Sequence, residues 1–207
     1  MIRPVLIASA ALLPQGLAAQ DARAEYSTLV AAFEEATAEY RKADAKVPPL
    51  LPDRSPFHDR FLAAAKRCEG PDDALPFLGW VLQNAPRNRD AHGMAAAAIE
   101  AMARKAAEAG LDEGALFKRS REAVRHLKYN RVSDLVFAKT LLDAKSLAVG
   151  AESDSIREAS ARSVWKLENL QVGMVAPDIV AKDLDGEELK LSDYAGKVVV
   201  IDFWGDW

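Results

Sequence analysis

Cysteine is almost missing from this chain. Cys68 is the only one in 207 residues, which excludes an intrachain disulfide, a thiolate metal cluster and a dithiol redox pair within these residues. It lies in "FLAAAKRCEG", near the expected end of a helix, where a free cysteine acts as a small apolar packing group. A reactive thiol is the competing reading. Histidine is also scarce, with His58, His92 and His126 alone, and none stands in the close ligand pair that a zinc site uses. Aromatic residues make up 7% of the chain. Alanine abounds instead, favouring helices that approach closely through small side chains. No apolar run reaches the roughly 20 residues needed to span a bilayer. A net charge of −4 and an isoelectric point near 5.5 argue against a nucleic-acid partner.

The first twenty residues, "MIRPVLIASAALLPQGLAAQ", form a separate unit. Arg3 precedes an apolar run from Val5 to Leu13, and small residues follow at Ala18 and Ala19. This is the layout of a secretory signal peptide cut near Ala19. No cysteine stands near that point, so a lipid-anchored terminus is not expected. The mature chain is expected to be exported, periplasmic or extracytoplasmic, and without a membrane span.

Residues 20–172 are expected to form an α-helical domain. Tyr26, Leu29, Phe33, Thr37 and Tyr40 recur at helical spacing. "VPPLLPDRSP" then interrupts, because proline neither donates nor fits inside a helix. Further helices are expected over 57–68, from Pro71 to Pro86, and over 91–109, 113–129, 132–147 and 155–170. Ser155 with Glu158 reads as a capping box for the last of them. Short loops point to antiparallel helical hairpins. The histidines stand 34 positions apart, the period of a tetratricopeptide solenoid, but their surroundings do not repeat. Lys118, Arg121, Arg125 and Lys128 share one helical face, read as a solvated surface ahead of an acidic docking site.

After Gly173 the period shortens to two. Ile179 and Val180 open a strand, Asp185-Gly186 is a turn signal, and Leu189 and Leu191 alternate on the return. "VVVIDFW" follows Gly196-Lys197. It is apolar and β-branched, the pattern of a strand buried on both faces of a parallel sheet.

Several features stand here in order: Gly173 with Ala176-Pro177-Asp178, Asp183-x-Asp185-Gly186, Leu191-Ser192-Asp193-Tyr194 with Gly196-Lys197, and a strand ending in Phe203-Trp204. Residues 173–207 thereby resemble the start of a thioredoxin-like domain of the redoxin group, which includes TlpA-type thiol–disulfide oxidoreductases and the AhpC/TSA peroxidases. The resemblance implies an α/β thioredoxin-like fold, incomplete here, behind the mainly α domain. Phe203, Trp204 and Trp207 match the oxidoreductase branch, in which Phe-Trp-x-x-Trp leads into Cys-x-x-Cys. A thiol- or selenol-dependent peroxidase is the alternative enzyme, and a helical binding protein with a vestigial β tail is the alternative outside enzymes.

Two site residues carry over by resemblance. Asp202 takes the place of the buried acid beneath the dithiol, where it assists proton transfer to the resolving cysteine. Trp207 takes the place of the tryptophan that precedes the nucleophile and borders the substrate groove. The nucleophile itself is expected at position 208. A selenocysteine codon read as a stop is the first-ranked explanation, ahead of a nonsense change or a true terminus. The 207 residues alone are therefore expected to be inactive. No cofactor or metal is expected, and the partner of the complete protein is expected to be a disulfide-bearing or redox protein.

Overall fold

The computed structural model describes residues 16–42, 53–85, 87–127, 132–171 and 174–202. Seven α-helices lie among them, followed by a small β hairpin: α1 (Ala19–Lys42), α2 (Ser55–Arg67), α3 (Pro71–Asn84), α4 (Arg89–Glu108), α5 (Glu113–Leu127), α6 (Asp134–Gly150), α7 (Asp154–Asn169), β1 (Val180–Lys182) and β2 (Glu188–Lys190). The proline-rich break after α1 lies mostly outside the described residues, as do residues 1–15 of the expected leader.

Six of the aromatic residues gather in one place. Tyr26 and Phe33 of α1, Phe57 and Phe61 of α2, and Phe77 and Trp80 of α3 meet in one cluster. The Phe61 and Trp80 rings stack 3.8 Å apart and nearly parallel. Phe33 meets Trp80 edge-on at 5.0 Å, and Tyr26 meets Phe77 at 5.4 Å. Such pairs add directional energy to area burial, about 0.5–1.5 kcal/mol each. The face expected on α1 is the one that packs: Leu29, Phe33 and Thr37 are buried. The Thr37 hydroxyl is satisfied by donating to the Phe33 carbonyl at 2.8 Å.

Helix α6 is the hub, packing against α3, α4, α5 and α7. Phe137, Ala138, Leu141, Ala144 and Leu147 are buried on one broad face, and Thr140, Asp143, Lys145 and Ser146 are buried beside them. Polar groups enclosed in this way need partners. Small residues permit the close crossings. At Gly79 of α3, an added Cβ would lie 2.0 Å from the Asp134 carbonyl oxygen. At Gly150, it would lie 2.5 Å from the Ala107 side chain of α4.

The start of α7 differs from the expectation. Ser153, not Ser155, occupies the N-cap, and it makes no side-chain cap bond. Glu113 at the start of α5 reaches across instead and accepts from the main-chain nitrogens of Glu152 and Ser153. Glu158 pairs with Arg162 along the helix surface. A partner distant in sequence thus replaces the local box.

The hairpin forms where the alternation and turn signal place it. Val180 faces Lys190, Ala181 faces Leu189 and Lys182 faces Glu188 in antiparallel register. Gly186 takes φ +85°, a conformation open to glycine at little cost. The Asp183 carboxylate closes the turn by accepting from the nitrogens of Asp185 and Glu187, both at 2.9 Å.

The terminal apolar run does not form the expected buried strand within the described residues. Val198 to Asp202 carry no strand pairing. Val198 and Val200 are 97% and 89% exposed, against 42% and 47% for Val199 and Ile201. The pleat is present, but the two-stranded hairpin is the one sheet among the described residues, and it does not extend alongside this run.

Candidate functional site

The C-terminal segment is braced by one carboxylate. Asp178 Oδ1 accepts from the main-chain nitrogens of Ile179 (3.0 Å) and Ser192 (2.8 Å). Its Oδ2 accepts from the Ser192 hydroxyl at 2.8 Å. These bonds join the entry of the hairpin to the 3-10 turn Leu191–Tyr194 that follows it. The Ser192 hydroxyl and main-chain bonds favour the ionised form and hold the Asp178 carboxyl below its ordinary value. Asp193 Oδ2 accepts from the Lys190 nitrogen, Gly196 turns the chain at φ +83°, and the Lys197 ammonium lies 5.5 Å from the Tyr194 ring centre. The segment Ala176–Lys197 is thus a fixed lead-in that delivers residues 198–202 in extended form.

Asp202 sits at the end of that lead-in. It is exposed, not buried, because no described strand flanks it on either side. Trp207, the second expected site residue, lies outside the described residues, as do Phe203 and Trp204.

Cys68 caps α2 and is half-buried, with its thiol donating to the Ala64 carbonyl at 3.4 Å. Burial pushes the thiol pKa up, helped by the Asp73 and Glu25 charges and opposed by Arg67. Nucleophilic cysteines need the opposite environment. The Cys68 main chain bridges to Leu17, whose nitrogen donates to the Arg67 carbonyl at 2.7 Å and whose oxygen accepts from Glu69 at 3.1 Å.

The helical domain holds polar clusters that the sequence reading missed. Lys145 of α6 is buried and donates to Glu100 of α4 at 2.9 Å and to Glu168 of α7 at 2.8 Å. Burial alone would lower the ammonium pKa, but the hydrogen bonds to Glu168 and Glu100 outweigh it and the net direction is up. Arg119 grips Asp143 with two bonds of 2.7 Å. Asp134 accepts from the Tyr26 hydroxyl and from Gln83 at 2.6 Å, tying α6 to α1 and α3. The available signal was "LLDAKSL": an acid and a lysine inside an apolar helix ask for partners. Lys118, Arg121 and Arg125 are exposed, Lys128 lies outside the described residues, and the α5 cation with a structural partner is Arg119. Among the described residues, no three His, Cys, Asp or Glu side chains gather as a metal-binding group. No described helix is long and apolar enough to cross a membrane.

Comparison with known proteins gives short, specific matches. The chain is 56% identical over 36 residues to a thiol-disulfide oxidoreductase ResA of Geobacillus thermodenitrificans, covering 17% of this chain and 21% of the relative. It is 43% identical over 42 residues to the ResA of Bacillus thuringiensis subsp. konkukian, covering 20% and 24%. For the ResA of Bacillus subtilis the figures are 42% over 40 residues, 19% and 22%. The chain thus spans about a fifth of the length of these relatives. No family model matches the chain, and no solved structure does.

Proposed function

We propose that residues 173–207 are the opening portion of a TlpA-type, thioredoxin-like thiol–disulfide oxidoreductase domain, exported behind an α-helical domain. The observation that carries this reading is the 56% identity over 36 residues to a protein named for that activity, a span close in length to the segment that holds the motifs. The hairpin and the Asp178–Ser192 brace support it, because they set a fixed approach for the run that begins at Val198. The leader layout of residues 1–19 supports export.

The chemistry in this reading needs a thiolate or selenolate following Trp207, at a helix N-terminus where unpaired N–H groups and the helix dipole favour the anion. The anion attacks one sulfur of a substrate disulfide. A mixed disulfide forms and the other substrate sulfur leaves as thiolate. A second thiol then attacks the mixed disulfide, releasing the reduced substrate and leaving the enzyme oxidised. Asp202, once flanked by further strands, takes the proton of that second thiol. Trp207 borders the groove. Cys68 serves neither role, since it is a single thiol whose pKa is raised by burial.

The test has two parts. The coding sequence beyond codon 207 is expected to continue in frame, through TGA or a cysteine codon, into x-x-Cys and a thioredoxin-like remainder. The purified 207-residue chain is expected to show no insulin-disulfide reduction, and the extended chain to show turnover. An unrelated continuation, or turnover by the 207 residues alone, overturns the proposal.

A further inference from the structure

The helical domain carries an apolar groove of about 280 Å³ between α2, α3 and α4. Leu62, Leu78, Met94 and Met102 line it together with four alanines, whose small side chains leave the space open. Lys66 is the single charged residue of the lining. It is exposed and has no ion-pair partner among the described residues. Met94 stands on the lip, 46% exposed.

Each part of this arrangement restricts the occupant. The walls offer hydrocarbon and two pliable thioethers, which fit a flexible apolar chain better than a rigid polar ring. The volume lies at the foot of the range of small-molecule pockets, roughly 300–1,000 Å³, so the chain is of medium length. The one charged side chain of the lining, Lys66, is a cation, complementary to one negative charge. We propose that this groove binds a straight-chain carboxylate, with the acyl chain against Leu62, Leu78, Met94 and Met102 and the carboxylate on Lys66 Nζ. The proposal goes beyond the redox reading and does not depend on it.

Calorimetric titration of the 207-residue chain with decanoate and decanol at low ionic strength tests it. Decanoate is expected to bind up to about fivefold more tightly than decanol, the scale of one exposed charge pair. Each methylene removed from the acid should weaken binding about fourfold. Lys66→Gln should erase the preference for the acid while keeping the chain-length series. Ala97→Trp, at an exposed position on the rim, should abolish binding of both probes. Failure of decanoate to bind, an unchanged preference in Lys66→Gln, or full binding in Ala97→Trp would overturn the proposal. So would self-association that Ala97→Trp removes in a protein binding neither probe, since the occupant would then be a second copy.

Discussion

Replacing Lys145 with methionine removes one charge from the junction of α4, α6 and α7 while keeping most of the side chain's length. Lys145 is 9% exposed, and its partners Glu100 and Glu168 are 31% and 25% exposed. Breaking a fully buried pair costs about 3–5 kcal/mol, whereas an exposed pair contributes about 0.2–1. These carboxylates keep partial access to water, and Glu100 keeps Arg104 at 3.1 Å. The expected loss is therefore intermediate, about 2 kcal/mol. In a chain of this size, that lowers Tm by about 4–8 °C. Adding Glu100→Gln and Glu168→Gln to the variant should restore most of the loss, because the repulsion between the stranded acids disappears.

The pH dependence gives a sharper check. The folded state raises the Lys145 pKa above 10.5, so its contribution is full below that value and is lost as pH rises through the folded pKa. Glu100 moves the other way. Its hydrogen bond to Lys145 is the main cause holding it below 4.5, so its contribution is full above 4.5 and is lost as pH falls through the folded pKa. Urea unfolding at a series of pH values should show a plateau in the wild-type minus Lys145→Met difference, shrinking at both ends. A difference below about 0.5 kcal/mol at neutral pH, the size of an ordinary surface change, would refute the reasoning. A difference that grew above pH 10.5 would refute the assignment to Lys145.

Two further outcomes can be checked. Gly79→Ala should destabilise by at least about 1–3 kcal/mol in urea unfolding, since its Cβ meets the Asp134 carbonyl at 2.0 Å and main chain must shift; Gly93→Ala, with nothing within 4 Å, should instead stabilise by up to about 1 kcal/mol. Asp178→Ala should free the turn from the hairpin, so the Ser192 amide exchanges with deuterium faster while α6 amides do not change; unchanged Ser192 protection would remove the bracing role.

Local chemistry was legible in the sequence and distant partnership was not. Pro71 and the Gly70 before it mark the start of α3, and Asp185-Gly186 marks the hairpin turn, because each acts through its own backbone. The Ser155–Glu158 pattern was as good a local signal. The helix starts two residues earlier, where Glu113, about 40 positions away, accepts from the main-chain nitrogens of Glu152 and Ser153. Lys145 and Glu100 are 45 positions apart, and Arg119 and Asp143 are 24 apart. Nothing in the neighbourhood of either residue announces the other.

The run from Val198 to Asp202 shows the same division inside one segment. Its β-branched residues set an extended backbone and a two-residue pleat, and both are present in the alternating exposure of Val198 to Ile201. A strand also needs a neighbour to receive its hydrogen bonds, and burial of Asp202 needs one on each side. Composition specifies the first requirement alone. The order of the motifs was therefore legible in the sequence, while the depth of Asp202 depends on strands that these residues do not supply.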